Sequence, residues 1–399
     1  MRRLGPWLIT FALIGVLAAN PAAAVTINPI FATSYTGGDL GVGPIVSLAD
    51  NPAAEQAIEA AAKKVGGMLT GTNTTVNILF YDAPEGGFLG ASLTGTVAYA
   101  YNDWVAALQA DSAAHPYNVT LAAAVQHLNQ GNGAGDPNAF IAPTTANARA
   151  VGLGVAAPSS FGVIDSSPEF SSTGDYLGGG GTVDAIVLLS SSVPLCYSRP
   201  VPDVSVEFCF DVQSTMEHEI DEVLGIGGPG STLNDALVDP NFAQDFYGVS
   251  GDVYGSLDPY RYSARGAPCY HLNTDQSPDD CYFSIDGGRY PVDWFNQQYM
   301  ALGDAADWAY IGRSCPGGTF AGGLGYVQDA FGCNNEISDV GYGTPERIAF
   351  EAVGYDIPEP GTLFLIAIGL MAIVGIRRRD AFVRRAAAIA FETAVRRQR

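Results

Sequence analysis

Thr215-Met216-Glu217-His218-Glu219-Ile220-Asp221-Glu222-Val223-Leu224-Gly225-Ile226-Gly227-Gly228 is the stretch on which the reading of this chain turns. Val212, Met216, Ile220, Val223 and Leu224 recur at helical spacing, which predicts an amphipathic helix over roughly 212–224. Gly225 to Gly230 then ends it, because glycine reaches the left-handed backbone that stops helices. On that helix His218 and Glu222 stand four residues apart and share a face, so both can address one metal ion. Glu219 lies about 100° round the axis and can reach a water beside that ion. The pattern is H-E-x-x-E, less specific than an intact H-E-x-x-H. The bland alternative is a helix whose histidine and acids are merely solvated.

The chain has 399 residues, 47% of them hydrophobic, ample for a core. Its formal charge is −22, unevenly spread. Eight of the 19 basic residues lie between Arg377 and Arg399, and Arg2 and Arg3 open the chain. Residues 25–358 hold nine basic residues against 38 acidic ones, a net of −29. So acidic a body excludes nucleic-acid binding through phosphate contacts. It suits an exported protein that needs solubility, cations or cationic partners.

Both ends carry targeting signals. Arg2 and Arg3, the apolar run Trp7 to Ala19 and Ala22-Ala23-Ala24 read as a secretory signal peptide, 1–24, cut after Ala24. Pro358-Glu359-Pro360 precedes an apolar run, 361–376, followed at once by Arg377-Arg378-Arg379. Sixteen residues at about 1.5 Å each span roughly 24 Å, short of a bilayer core of about 30 Å, and snorkelling arginines cover the deficit. The arginines predict a single-pass helix with a cytoplasmic C-terminus. This order of Pro-Glu-Pro, apolar helix and arginines over 358–379 resembles the PEP-CTERM sorting signal. That resemblance implies removal of the tail by an exosortase and release at the cell surface or outside the cell. Residues 380–399 extend beyond the usual stop as a basic tail that a cytoplasmic membrane surface could hold.

Between the ends, one α+β domain is expected over 25–357. Ala53–Val65, Thr96–Ala110, Asn118–Asn129 and Ala146–Val151 read as helices, and Thr75–Phe80, Val183–Leu189 and Val204–Phe210 as strands. Ser231 to Tyr355 is loop-rich. Six cysteines in an exported chain imply disulfides. Fifteen pairings are open, and neighbour pairing (196–209, 269–281, 315–333) closes the shortest loops. The aspartates Asp275, Asp279, Asp280, Asp286, Asp304 and Asp307 offer oxygen ligands for calcium, but their spacing matches no EF-hand and a solvated face is the simpler reading. His115 and His127 read as structural or exposed. Gly152, Gly154 and Ala157 mimic G-x-G-x-x-A without the strand and helix that would make it a dinucleotide site.

The body also resembles exported bacterial zinc metallopeptidases related to the metzincins, often PEP-CTERM-tailed. The resemblance rests on His218–Gly225, Leu257–Ala264, Tyr282–Gly288, Gly303–Trp308, Val327–Phe331 and Ala352–Asp356. It implies a metzincin-like fold, hydrolysis of a protein or peptide substrate, His218 as zinc ligand and Glu219 as the general base for the attacking water. Glu222 stands where metzincins have a second histidine, and zinc accepts a carboxylate there. Gly228 stands where they have a third, and glycine has no side chain to offer. The missing ligand is then Asp258, Asp235 or His271, with Asp258 first because it leads one of the shared patches. The alternative function is a non-catalytic surface or biofilm-matrix protein that keeps the scaffold.

Overall fold

Thr75-Val76-Asn77-Ile78-Leu79-Phe80-Tyr81-Asp82 forms the central strand of the main sheet. The computed structural model describes residues 24–358 except 32–34, 36–39, 41, 71, 129–132, 155–182, 203–207, 264–266, 271, 273–280, 297–304 and 310–324. The strands β1 (Thr26–Ile30), β2 (Val46–Ser47), β3 (Thr75–Asp82) and β4 (Gly90–Thr94) are joined, after the short β5 (Tyr99–Ala100) and β6 (Phe140–Ile141), by β7 (Ala185–Leu189). The sheet order is β1-β3-β7-β4, with β2 also paired to β3. β1 and β7 run parallel to β3, whereas β4 is an antiparallel edge strand on β7.

Side chains alternate across a strand. Val76, Ile78 and Phe80 of β3 therefore join one core cluster, and Leu79 and Tyr81 join another. Helices α1 (Pro52–Met68) and α5 (Val212–Val223) cover the first face. The small residues Ala54, Ala57, Ala61 and Ala62 of α1 are buried and let it lie close. Asn51 caps α1, its side chain accepting from the Ala54 N–H, and Pro52 fits the first turn. Helix α1 exceeds the expected 53–65 by about a turn at its end.

Helices α2 (Tyr101–Ala114), α3 (Val119–Gln126) and α4 (Thr145–Ala150) flank this core. The expected helix over Thr96–Ala110 needs correction. Thr96 bridges to Thr144 and β5 pairs antiparallel with β6, so the helix starts only at Tyr101. Sheet hydrogen bonds to a distant segment override the local helical pattern. Of the expected strand Val204–Phe210, residues 203–207 lie outside the described region, and Phe210–Asp211 (β9) pairs with Leu195–Cys196 (β8).

After α5 the elements are short, as the loop-rich reading expects. Helices α6 (Leu233–Val238) and α7 (Phe242–Tyr247) are single-turn pieces, and β10 (Val253–Tyr254) pairs with β6. A three-stranded sheet joins β11 (Arg261–Ser263), β12 (Cys281–Phe283) and β13 (Asp293–Trp294). Cys196 bonds Cys209 and Cys269 bonds Cys281, as neighbour pairing expects. Cys333 is also disulfide-bonded, and position 315 lies outside the described residues.

Helix α8 (Pro345–Ala352) and the Asp356 segment close the unit that ends at Ile357. Asp356 is tied down from several sides: its backbone bonds that of Thr70, and its carboxylate accepts from Asn118 at 2.9 Å and Tyr117 at 3.1 Å. His115 pairs with Asp111 and Asp356, a structural use. Among the described residues no helix is long and apolar enough to cross a membrane. The leader 1–23, the apolar run 361–376 and the tail 380–399 lie outside those residues.

Candidate metal centre

Helix α5 carries the site. Asp211 caps it, its carboxylate accepting from the Ser214 N–H at 2.9 Å and hydroxyl at 2.6 Å. Val212, Met216, Ile220 and Val223 anchor its apolar side in the core. At its end Gly225 takes a φ of +98° and Ile226 N–H returns to the Asp221 carbonyl, the stop the sequence predicts. The solvated-face alternative fails: Glu217 and Asp221 are 0% exposed, and Glu219 and Glu222 4%. Carboxylates buried this deeply need a proton, a hydrogen-bonded partner or a cation. Glu217 accepts from Gln213 and from Val340 N–H, and burial pushes it up to about 7.

On the cavity side of α5, His218, Glu222 and Asp307 converge, with one ligand atom from each all within 4.8 Å of one another. His218 Nε2 lies 3.6 Å from Glu222 Oε1 and 3.9 Å from Asp307 Oδ2. Ligand atoms about 2.0–2.2 Å from a tetrahedral zinc ion sit about 3.3–3.6 Å apart, so the spacing suits a divalent cation after a small contraction. His218 Nδ1 donates to the Val327 carbonyl at 2.8 Å, which turns Nε2 toward Glu222 and Asp307. Both Glu222 oxygens are held, Oε2 by the Ser92 hydroxyl at 2.7 Å and Oε1 by Gly228 N–H at 3.0 Å. Gly228 thus orients a ligand through its backbone, at the position where a histidine was missed.

The charges agree with a cation. Burial works against a charged His218, yet Asp307, Glu222 and Glu219 together raise it well above its ordinary value. Burial favours neutral Glu222, but His218 and the Ser92 hydroxyl hold it below the usual range. Glu219 is raised well above the carboxylate range by burial and then by the charge of Glu222. Its Oε2 has no hydrogen-bond partner among the described residues. A cation would supply the positive charge these groups call for and would take the place of the proton on His218 Nε2.

Asp307 reaches the site through packing. Trp308 is buried against Phe283 and Phe295 at centroid distances of 5.6 and 5.5 Å. Its backbone bridges to Phe295 and to Asp329, and the Asp307 carbonyl accepts from Asn296 N–H at 2.7 Å. With Trp308 in the core, Asp307 lines the cavity. The sequence reading included Asp307 in a shared patch, but as a calcium candidate. The alternation of a charged and a large aromatic residue on a bridged segment is the signal that could have singled it out.

Asp258 requires correction as the third ligand. It is 0% exposed and its carboxylate accepts from the Ser231 hydroxyl, Thr232 N–H and Gly255 N–H, 3.9 Å from the Arg261 guanidinium. It organises the turn after α5 and is not in the His218 cluster. Asp235 sits on α6, also outside the cluster, and position 271 is outside the described residues. Asp286 accepts from the Ser284 hydroxyl and from Arg289 and Tyr290 N–H, a turn-forming use. Asp275, Asp279, Asp280 and Asp304 lie outside the described residues.

A PEP-CTERM protein-sorting motif matches residues 356–379. The chain is therefore an exported bacterial protein sorted to the cell surface, with an exosortase-type enzyme as its processing partner. Comparison with curated proteins and with solved structures gives no match. The motif begins at Asp356, the residue that Thr70, Tyr117 and Asn118 hold, so the described unit is anchored right up to its sorting signal.

The cluster opens on a cavity of about 530 Å³. Phe88, Gly90 and Ser92 of the β4 side form one wall, and Tyr326 and Phe331 belong to the other. A Cβ on Gly90 would lie 2.8 Å from Glu219 Cγ and overlap its carboxylate. Gly90→Ala is therefore expected to displace Glu219 by about an ångström. If Glu219 is the base of a peptidase, as proposed below, such a misplacement would lower kcat/KM by about 10²-fold. Steady-state kinetics alongside zinc stoichiometry checks this, with stoichiometry expected to stay at the wild-type value.

Proposed function

We propose that this protein is a surface-sorted metallopeptidase. His218, Glu222 and Asp307 hold a divalent cation, zinc in the first instance, and Glu219 is its general base. The observation that carries the reading is the convergence of these three ligand atoms within 4.8 Å on a cavity that Glu219 also lines. A bound cation supplies Lewis-acid activation of water and of a carbonyl. The protein's own groups do the rest. Glu219 would take a proton from the attacking water and pass it to the departing amine. Val327 fixes the His218 ring, and Ser92 and Gly228 fix Glu222.

Two features favour a peptide substrate. β4 is the edge of its sheet and lines the cavity, so its outer backbone groups can pair with an extended chain. A helix bearing H-E-x-x-E beneath a mixed sheet with an antiparallel edge strand also agrees with the metzincin-like resemblance read from the sequence.

Chelation tests the reading. The purified protein is expected to contain about one zinc per chain and to cleave casein. EDTA should abolish that cleavage and added zinc restore it. Stoichiometric zinc without hydrolysis of any peptide would leave the alternative, a non-catalytic surface protein that keeps a structural cation.

A further inference from the structure

Gln328 is fully buried and stands directly over the His218–Asp307 pair. Its Nε2 lies 3.1 Å from His218 Nε2 and 3.0 Å from Asp307 Oδ1. The Asp307 carboxylate can only accept, so the group facing it is the amide nitrogen, with His218 Nε2 as its second neighbour. The amide nitrogen therefore stands beside two of the atoms that a cation would use. Its Oε1 is buried with no hydrogen-bond partner. A buried carbonyl oxygen left unpaired carries a free-energy penalty, which is relieved when it finds a donor or a cation.

We infer that Gln328 is a fourth ligand of this centre, an amide that caps His218 and Asp307 until a divalent cation arrives and then turns its carbonyl oxygen onto the ion. The inference rests on reading the cluster as a cation site. A half-turn about the Cγ–Cδ bond exchanges Nε2 and Oε1. It puts an oxygen at the point about 3 Å from both His218 Nε2 and Asp307 Oδ1, close to the separation of ligands around one zinc ion. A cation held by His218 and Asp307 would repel the amide N–H donors and attract the carbonyl oxygen, so the same event would favour the turn and give the orphaned oxygen a partner.

The backbone holds Gln328 in place to do this. Its N–H donates to Glu346 Oε1 at 3.0 Å, and its carbonyl accepts from Trp308 N–H at 2.8 Å. Room for the amide comes from Gly227, whose φ is +71° and where any Cβ would overlap the Gln328 side chain. The donor set becomes one imidazole nitrogen and three oxygens. That set admits harder ions such as Mn²⁺ alongside zinc.

The size of one change in affinity decides the matter. Zinc dissociation constants are measured by competition with a chromogenic chelator on the purified full chain, with Gln328→Leu and Gln328→Asn as variants. A ligand role predicts binding more than about 100-fold weaker in both, beyond what the loss of an outer-shell partner costs, since the leucine lacks the oxygen and the asparagine withdraws it. The visible spectrum of the cobalt(II)-loaded protein should also change. If Gln328 only caps or orients His218 and Asp307, both variants bind zinc more tightly than wild type, equally tightly, or weaker by less than about 100-fold, and the inference is overturned. Should the leucine variant not fold, the asparagine variant alone gives the change in affinity. Failure of the wild-type protein to bind zinc, Mn²⁺ or cobalt(II) overturns the cation-site reading itself, and is distinct from tight wild-type binding that the variants leave unweakened.

Discussion

Under the proposed metallopeptidase reading, Glu219→Gln is expected to lower casein hydrolysis by about 10²–10⁴-fold while zinc content and fold are kept. The amide has the shape of the carboxylate but cannot take a proton from water. Glu219 is not among the three converging ligands, so cation binding does not depend on it. The substitution also removes a buried group raised well above the carboxylate range by burial and by Glu222, so stability should hold or improve. Kinetics, metal content and a thermal melt on the same preparation read all three. Equal activity in wild type and variant, at equal zinc content, would remove Glu219 from the chemistry.

Asp307→Ala and Asp258→Ala are expected to fail in opposite ways. Removing Asp307 takes away a direct ligand, and zinc affinity should fall by more than about 100-fold, beyond what the loss of an outer-shell partner costs. The fold should survive, because Trp308 and the backbone bonds around it hold the segment. Removing Asp258 leaves zinc affinity near wild type but strips three buried donors of their acceptor and leaves the buried Arg261 without the carboxylate 3.9 Å away. Breaking a buried ion pair from one side costs about 3–5 kcal/mol. Denaturant melts and zinc titrations on the two variants separate the roles. Loss of zinc in Asp258→Ala with the fold intact would restore Asp258 as a ligand.

Helix α5 shows how much was legible. Its apolar spacing, cap region and glycine stop are local, and the observed Val212–Val223 departs from the expected 212–224 by one residue. The central strands β3 and β7 were likewise readable, because apolar runs buried on both faces leave a continuous signature. β4 was not. Gly90-Ala91-Ser92-Leu93-Thr94 is too weakly apolar to announce a strand, and only its pairing with β7 makes it one. The burial of Glu217, Glu219, Asp221 and Glu222 was hidden for a similar reason: the sequence shows that they are charged, not what packs over them.

By itself the sequence determined the export and sorting signals, the helix that carries His218 and Glu222, and the chemistry that those residue types permit. These rest on composition and short-range periodicity, which a chain carries wherever it folds. The tertiary structure alone decided that Asp307 and not Asp258 meets them, and that Ser92, Gly228 and Gln328 surround them. Those residues are brought together by long loops closing onto a core. No local spacing encodes which of several distant aspartates the burial of Trp308 will turn toward the cavity.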